Sequence, residues 1–487
     1  MNSPSSTVNP ATRVLRPRRN LLLVALALSA AWLTGGSPLR AQADKYPWQV
    51  GVASVKITPK GPTWMAGYAN RTKPSDGVDL DIFAKALAVD DGAGGRVVMV
   101  TTDLVSIPLS LRQFVERECG QRYGLKPEEI LLNASHTHSA PEVRPERMRW
   151  EQAFSRAASP QQVADVDQYS VWLEKTLVTL VGDAWQRRAP AALAVSHGRA
   201  GFAMNRRRPE AGGRFSNNPY PDGPVDQEVP VLKVTGADGK MKAVLFGYAC
   251  HNTTLGGSRI SGDYAGYAQK FLEESYPGAT ALFMMGCGGD QNPYPRRAIS
   301  PTLTSNELVQ QHGRALSNAV TTALDSVPRP VRGPLRPALD SALLDYVPVP
   351  KPELQKYLSR PETEIVKERA RSLIQSGERG EKFPPLPCPV QVVRFGRDLT
   401  LVAIGGEVVI DYAIRIKSEL KGPAYVWVAG YTNNVFGYIA SRRVLEEGGY
   451  EGGGANTRIL VHPGTFTFDA EEKILAKVHD LIRRTNP

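Results

Sequence analysis

Cysteine and histidine are scarce in this chain of 487 residues, which contains four of the first and seven of the second. The four cysteines lie far apart without a C-x-x-C spacing, which argues against a zinc ribbon and a cysteine nucleophile. One or two disulfides stay open as alternatives. No basic stripe interleaved with aromatic residues occurs, which argues against nucleic-acid binding. No repeat with a period of about 20 to 50 residues occurs either, which excludes a solenoid.

The first 43 residues lack aspartate and glutamate. They carry basic residues that include Arg18-Arg19, then an apolar stretch from Leu21 to Leu33, then Ala41-Gln42-Ala43. The apolar stretch is shorter than the ~20 residues that a membrane-spanning helix needs. The pattern predicts a signal peptide over residues 1–43. Arg18-Arg19 leaves both the Sec and the twin-arginine route open, so we expect an exported protein, periplasmic or secreted.

The remaining chain has only a mild excess of positive charge. Its formal charge falls from +11 to +6 without residues 1–43, because that segment holds five arginines and no acidic residue. Such an excess fits a soluble cationic surface, and peripheral contact with an anionic membrane is the alternative. An apolar content of 42% with 22% charged residues is typical of globular proteins. No obligate protein partner is indicated.

Apolar runs of strand length alternate with helical patterns along the chain. The runs are continuous, as expected for strands buried on both faces. They start at Arg96, Glu129, Lys242, Ala279, Leu399 and Ala424. The alternation predicts an α/β fold, a layered mixed sheet with flanking helices and an active site at the carboxyl ends of the strands.

Three helices and two connecting segments are also predicted. One helix follows Ser159-Pro160, with a stripe that includes Trp172, Leu173 and Leu177, and another runs from about Ser305 to Asp325. A last helix begins at Asp469, with Glu472 completing a capping box. The proline-rich stretch from Val327 to Pro352 is predicted as a long connection or a rim segment, and "KFPPLPCPV" from Lys382 as a rigid connector.

Polar residues follow these strand candidates where each run ends. They are His136, His138, His251, Asp290, Asn292, Glu407, Tyr431 and Tyr438. Imidazoles, a carboxylate and phenols that converge on one rim have the ligand chemistry of a catalytic zinc site. An H-x-H pair on a strand points its side chains to opposite faces, so we expect only one of the two to bind metal. A structural hydrogen-bonding role is the alternative for each of these residues. We interpret the remaining histidines as structural or exposed to solvent; they are His197, His312, His462 and His479.

The order of several motifs resembles the neutral, non-lysosomal ceramidases. The motifs are "NASHTHSAP", "NRRRP" at Asn205, "ACHNTTL", "SGDYAGY", "MGCGGDQNPYP", "GGEVV" and "FGYIASRRVLEEGGYEGG". The likeness runs from about Val52 to Thr467, and it identifies the chain as a divergent, bacterial-type member related to the catalytic N-terminal domain. The resemblance implies a zinc ion in an α/β domain that hydrolyses the amide of N-acylsphingosine.

The resemblance also implies a role for individual residues. One Zn²⁺ per chain would be bound by four of them, namely His136, His251, Glu407 and Tyr438. The catalytic residues would be His138 for proton transfer, Arg206 to orient the scissile carbonyl, Tyr450 and Asn292. Two positions depart from the family: Asn292 stands where the family has a serine, and Glu447 where it has a tyrosine.

The expected function is therefore that of an exported zinc-dependent amidohydrolase. It would cleave an N-acyl, ceramide-like amide of a lipid or acyl-amide substrate by attack of zinc-bound water. The alternatives are a zinc hydrolase of the same fold that acts on an ester or a smaller polar amide, and a binding homologue without catalysis. Residues 44–487 are expected to form a single zinc-hydrolase domain. Only 37 residues follow Tyr450, too few for a C-terminal immunoglobulin-like domain of about 100 residues.

Overall fold

The computed structural model describes residues 45–486, except 69, 146–158, 300–301, 363 and 458–459. The predicted signal peptide lies outside the described residues. The strands are β1 Trp48–Lys56, β2 Gly77–Val78, β3 Phe83–Asp90, β4 Arg96–Thr102, β5 Ile130–Ala134, β6 Ala189–Arg199, β7 Ala203–Asn205, β8 Arg207–Glu210, β9 Arg214–Asn217, β10 Glu228–Gly236, β11 Met241–Tyr248, β12 Arg259–Ile260, β13 Thr280–Met285, β14 Gln291–Pro293, β15 Arg329–Val331, β16 Leu335–Leu344, β17 Tyr346–Pro348, β18 Leu386–Phe395, β19 Leu399–Ile404, β20 Glu407–Val408, β21 Tyr425–Ala429, β22 Tyr438–Ile439 and β23 Gly464–Phe466.

The α-helices alternate with these strands. They are α1 Leu109–Tyr123, α2 Pro160–Gln186, α3 Asp263–Ser275, α4 Ser305–Asp325, α5 Lys351–Ser359, α6 Glu364–Glu378, α7 Ile410–Glu419, α8 Arg442–Glu447, α9 Ala455–Thr457 and α10 Ala470–Arg484. A 3-10 turn covers Pro127–Glu129, and one turn of π-type helix covers Tyr450–Gly454. Among the described helices, none combines the length and apolar character that a membrane span requires.

Two sheets stack face to face in the unit that begins at Tyr46. The larger has nine strands in the order β13-β11-β10-β6-β1-β3-β4-β5, with β15 paired to β6. The smaller has four strands in the order β16-β18-β19-β21. Most neighbouring strands are antiparallel, but β4 and β5, β11 and β13, and β19 and β21 are parallel pairs. The strand candidates of the sequence coincide with these six strands, and the predicted layered α/β fold with a mixed sheet is confirmed.

The side chains of each strand alternate between two apolar cores, which gives four layers: helices, sheet, sheet, helices. On β3, Ala84 and Ala86 belong to the core under α1 and α2, whereas Leu87 and Val89 belong to the core between the sheets. The helices α3 and α4 cover the same sheet with a core of their own, and α7 and α10 cover the outer face of the smaller sheet. Alternation into two apolar layers explains why the strand candidates read as continuous apolar runs.

Close backbone approach fixes the packing of α2 on the larger sheet. Gly51 lies in β1, and a Cβ atom there would stand 1.9 Å from the carbonyl oxygen of Ala184. The N-terminus of α2 is closed as predicted, because the Ser159 side chain accepts a hydrogen bond from the Gln162 N–H. Of the predicted stripe, Leu173, Leu177, Leu180 and Val181 are buried, whereas Trp172 is 42% exposed.

The proline-rich segments contain strands, so the prediction of connections is wrong for those parts, whereas residues 382–385 are a connection without regular secondary structure. The stretch from Val327 to Pro352 contains β15, β16 and β17, and "LPCPV" opens β18. Proline is tolerated because Pro387 and Pro389 lie in the part of β18 that pairs with β16 alone, since β19 pairs only from Val390 onward. A strand position with no neighbour on one side needs no N–H donor there.

Two further expectations differ from the structure. Asp469 precedes α10 without a side-chain cap, because its carboxylate pairs with Lys473 and Glu472 pairs with Arg415; the predicted capping box is wrong. The four cysteines are all buried free thiols. Burial raises the pKa of each, which keeps them protonated and unreactive at neutral pH.

Candidate functional site

The two histidines of the H-x-H motif converge in space. They follow β5 in a loop where His136 has a left-handed backbone with φ 61°, and the Nε2 atoms of His136 and His138 lie 3.1 Å apart. The expectation that the pair points to opposite faces is wrong, because strand alternation has already ended at Ala134. Both imidazoles are therefore available to one site.

Backbone carbonyls fix the rings of His136 and His251. The Nδ1 atom of His136 lies 2.7 Å from the carbonyl oxygen of Val105, and that of His251 lies 2.7 Å from the carbonyl oxygen of Gly288. A neutral imidazole has one N–H, and a carbonyl can only accept it. Each ring therefore presents an unprotonated Nε2 atom to the site, the form in which histidine ligates a metal.

The carboxylate of Glu407 faces these nitrogen atoms. Its Oε2 lies 3.1 Å from the His136 Nε2 and 3.5 Å from the His251 Nε2. With the Nδ1 protons engaged by carbonyls, neither histidine has a proton left to donate, and no other donor in the described part of the chain reaches this buried oxygen. Such a group of acceptors is stable only around a cation.

The charge states also fit a metal centre. Burial, with the nearby Arg206, lowers the pKa of His251 to about 3. Burial alone would raise the pKa of Glu407, and protons on the facing His136 and His251 rings would hold it well below the usual value. A divalent cation supplies the same positive charge when the rings are neutral. Neutral imidazoles and an ionised carboxylate are the protonation states that a divalent ion requires.

Tyr438 stands beside Glu407 because β20 and β22 pair in parallel, with Glu407 opposite Tyr438. Its phenol oxygen lies 3.4 Å from the His251 Nε2 and accepts a hydrogen bond of 2.9 Å from the Arg206 guanidinium. Ligand atoms around a tetrahedral zinc ion, with bonds of about 2.0–2.1 Å, lie about 3.3 Å apart. The spacings of Glu407 from His136 and His251, at 3.1 and 3.5 Å, and of Tyr438 from His251, at 3.4 Å, are close to that value.

His138 completes the group. Its ligand nitrogen and those of His136 and His251 all lie within 4.8 Å of one another, so these three could also hold an ion. Burial, with the neighbouring His136 and His251, holds the pKa of His138 well below its usual value. Its Nδ1 has no hydrogen-bond partner within the described chain. The ring packs on Gly67, where a Cβ atom would come within 2.5 Å of it.

Arg206 is buried and held on every side. Pairing of β7 with β14 brings it to Asn292, whose side-chain oxygen accepts a hydrogen bond of 3.2 Å from it. It also donates to the carbonyl of Gly289 at 2.8 Å and to the carboxylate of Glu451 at 2.7 Å. The guanidinium is therefore locked in one orientation, with one amine directed at Tyr438.

A second ion pair lies behind Arg206. The guanidinium of Arg207 donates to Glu451 at 2.8 Å and to Glu447 at 3.0 Å, and the side chains of Arg206, Arg207 and Glu451 are all at most 4% exposed. Sequence reasoning did not assign a role to Glu451 or Arg207. The signal was present in the arginine run "NRRRP" and in two glutamates four residues apart in "EEGGYE".

The remaining candidates surround this group. Tyr450 is 43% exposed, and its ring lies 5.3 Å from that of Tyr438 at an angle of 66°. Tyr431 is buried against the His136 ring at 4.5 Å. Asp290 is buried below the site, where it accepts hydrogen bonds from the side chain of Asn205 and the N–H of Ile410.

The other histidines lie outside the site. His197 has a side chain 61% exposed, and His479 pairs with Glu419 on the surface. His312 is buried beside Thr254, and His462 is buried between Tyr346 and the carbonyl of Phe436.

The chain is similar in sequence to known proteins. The sequence model of the family "Neutral/alkaline non-lysosomal ceramidase, N-terminal" matches residues 48–293. The neutral ceramidase of Pseudomonas aeruginosa is 26% identical, over 88% of this chain and 72% of its own length. The neutral ceramidase of Drosophila melanogaster is 23% identical over a region that covers 47% of this chain and 32% of the fly protein.

The fold has a counterpart among solved structures. The crystal structure of neutral ceramidase from Pseudomonas aeruginosa superposes with a TM-score of 0.70 at 20% sequence identity. The match covers 91% of this chain and 75% of that one. A likeness at this identity shows a shared fold.

Proposed function

The chain belongs to the neutral/alkaline non-lysosomal ceramidase family, and we propose that it is a zinc-dependent hydrolase that cleaves an N-acyl, ceramide-like amide. One observation carries the zinc dependence. The Oε2 of Glu407 meets the unprotonated nitrogens of His136 and His251 at 3.1 and 3.5 Å, where no donor in the described chain satisfies it. A divalent cation resolves that arrangement.

The ion would be held by His136, His251, Glu407 and Tyr438. When bound, zinc lowers the pKa of a water molecule to about 7 and polarises a carbonyl oxygen. Arg206 donates a hydrogen bond of 2.9 Å to the Tyr438 oxygen. That contact lowers the pKa of the phenol, which burial and the nearby Glu407 raise well above its usual value, so a bound cation would be needed to hold the phenol in its ionised form. The fixed guanidinium and the Tyr450 hydroxyl are suited to stabilise negative charge on the carbonyl oxygen of the substrate, and loss of one such donor typically costs about 10² to 10³ in rate.

His138 is the group suited to move the proton. Its Nε2 lies 3.1 Å from that of His136, and its Nδ1 has no hydrogen-bond partner within the described residues, so as a neutral imidazole it could take a proton from the attacking water. An amine is a poor leaving group, and the protonated imidazole can give that proton to the amide nitrogen as the C–N bond breaks. His138 thus acts first as a base and then as an acid.

A direct test uses purified protein, zinc analysis and a panel of ceramide, an N-acyl amino acid and a simple ester. We expect one zinc per chain, amide hydrolysis that a chelator abolishes, and recovery on addition of zinc. Zinc-bound protein that hydrolyses none of the panel would instead support a binding homologue.

Hydrolysis of an ester or a smaller polar amide is a second candidate. It is favoured by Asn292, which stands where the resemblance has a serine, and by Glu447, which pairs with Arg207 instead of providing a tyrosine. The same panel separates the two candidates through the ratio of kcat/KM values.

Export is a further part of the proposal. The basic start, apolar stretch and Ala41-Gln42-Ala43 of the sequence support cleavage after Ala43. Mass spectrometry of the mature N-terminus and cell fractionation test this, and an intact N-terminus on cytoplasmic protein would contradict it.

A further inference from the structure

Three arginines surround one phenol beside the site. We call Tyr68, Arg71, Arg296 and Arg297 the Tyr68 cluster. The guanidinium carbons of Arg71 and Arg297 lie 4.9 and 5.8 Å from the Tyr68 ring centroid, and Arg297 donates a hydrogen bond of 3.1 Å to the phenol oxygen. Arg296 interacts with the same phenol. All four residues are half-buried, so the cluster reaches solvent.

The Tyr68 cluster borders His138. The two rings lie 4.8 Å apart, edge to face, and Arg71 donates a hydrogen bond of 2.7 Å to the His138 carbonyl. Arg297 donates to the carbonyl of Thr254, three residues after His251. The charge of Arg296 acts on the His138 ring. The cluster therefore lies next to the proton-transfer group.

Among the ion pairs of the described ranges, none involves Arg71, Arg296 or Arg297; the acids that follow Arg71 in the sequence, Asp76 and Asp79, pair with Lys73 and Arg259. The Nε atoms of Arg71 and Arg296 are buried without a hydrogen-bond partner in the same ranges. The acid that Arg297 influences, Asp263, uses its oxygens to accept hydrogen bonds from the N–H groups of Thr254, Leu255 and Tyr264.

The Tyr68 cluster differs from the other arginine pair beside the site in its partners. Arg206 and Arg207 are fully buried and share the carboxylate of Glu451. Within the described chain, the hydrogen-bond partners of the Tyr68 cluster arginines are backbone carbonyls and a phenol. Like charges gathered without a counter-charge repel one another, and an anion that binds there would relieve the repulsion.

We infer that the Tyr68 cluster is a subsite for a carboxylate or sulfonate on the amine portion of the substrate. The inference rests on the proposed amide hydrolysis. The leaving nitrogen must approach His138 to receive its proton, so whatever the amine carries lies next to that ring. An acyl amide of an amino acid or an aminosulfonate fits this chemistry, because its anionic group lies two or three bonds from the amide nitrogen.

The test compares three dodecanoyl amides with matched amine portions: those of glycine, taurine and ethanolamine. We expect kcat/KM for the two anionic amides to exceed that for the neutral one by about 10- to 100-fold, as expected for a hydrogen bond between charged groups. The Arg296→Gln variant should lose most of that preference, whereas Arg397→Gln, which removes the same charge at an exposed turn, should keep it. Equal values for the three amides in the wild type, or an unchanged ratio in Arg296→Gln, would overturn the inference.

The carboxylate and sulfonate arms separate the two anion types. Equilibrium dialysis of N-dodecanoylglycine tests the subsite apart from turnover, and we expect weaker binding to Arg296→Gln and in higher salt. Binding that depends on Arg296 without hydrolysis of any amide would contradict the proposed function alone. Hydrolysis of the neutral amide without preference for the anionic ones would contradict the subsite alone.

Discussion

At the scale of single residues, the site is defined by which nitrogen of each imidazole is engaged. His136 and His251 both direct Nδ1 at a backbone carbonyl, whereas neither nitrogen of His138 has such an anchor. The difference assigns His136 and His251 as metal ligands and His138 as the proton-transfer group. The assignment leads to distinct outcomes for the three histidines.

The His136→Ala and His251→Ala variants are expected to lose both zinc and activity, because each substitution removes one of the four proposed zinc ligands. The His138→Ala variant should retain about one zinc per chain and lose about 10² to 10⁴ of kcat, the usual contribution of general acid–base catalysis. Metal analysis and turnover on the same preparations check this. Equal zinc loss in all three variants would mean that His138 is itself a ligand.

Glu451 is expected to act through Arg206. The Glu451→Gln variant removes the charge that holds the guanidinium at 2.7 Å, so kcat should fall by about ten-fold or more while KM and zinc content change little. Glu446→Gln is the matched control, since that exposed glutamate pairs with Arg442 on the surface of α8. Loss of zinc in Glu451→Gln, or unchanged kcat, would contradict the positioning role.

At the scale of elements, α4 is joined to the loops of the site by His312. Its Nδ1 lies 3.0 Å from the hydroxyl of Thr254, and its ring stacks on Phe202 at 4.8 Å. Burial lowers the pKa of His312 from 6.5 to about 4. The folded protein therefore resists a proton that the unfolded chain accepts.

The lowered pKa of His312 makes the folded protein less stable as the pH falls. The contribution of His312 to stability is complete above about pH 6.5 and is lost as the pH falls to about 4, by about 3 kcal/mol in total. In urea unfolding between pH 7 and 4, the free energy of unfolding should fall less in His312→Gln than in the wild type. The exposed His197→Gln variant should follow the wild type, and parallel curves for all three proteins would contradict the effect.

Elements that are buried on both faces could be predicted from sequence, and elements shaped by distant partners could not. The strands β4, β5, β11, β13, β19 and β21 read as continuous apolar runs because two cores receive their side chains. The strands β16 and β18 contain prolines that are tolerated only because of their position in the smaller sheet. Helix ends show the same contrast, since the cap at Ser159 is local and Glu472 instead pairs with Arg415 of another helix.

The site shows this division as well. Residues at strand ends, such as His136, His251 and Glu407, could be listed from sequence because the ends of such strands meet. The convergence of His138 with His136 could not, since it depends on one left-handed residue after β5. Glu451 and the Tyr68 cluster depend on contacts between segments more than 180 residues apart.

At the scale of the whole molecule, one buried asparagine joins the sheets beneath the site. Asn133 of β5 accepts a hydrogen bond of 2.8 Å from the N–H of Met285 in β13 and donates one of 2.9 Å to the carbonyl of Gly430 after β21. The strands β5 and β13 lie at opposite edges of the larger sheet, and β21 belongs to the smaller one. The junction therefore fixes the strand ends that carry the site.

Removal of this junction should weaken the whole unit. The Asn133→Ala variant leaves a buried N–H and a buried carbonyl unpaired, which should lower the free energy of unfolding by about 3 kcal/mol. It should also weaken zinc binding, because His136 follows three residues later. Urea unfolding with zinc titration checks both effects, with exposed Asn218→Ala as control. A variant as stable as the wild type would contradict this account of the junction.

The most direct test of the central claim is X-ray absorption at the zinc edge, with anomalous diffraction from crystals of the zinc-loaded protein. We expect one zinc ion at about 2.0–2.2 Å from the Nε2 atoms of His136 and His251, the Oε2 of Glu407 and the phenol oxygen of Tyr438. His138 should lie outside bonding distance. An ion bound by three imidazoles without Glu407 and Tyr438, or no ion between these side chains, would contradict the claim.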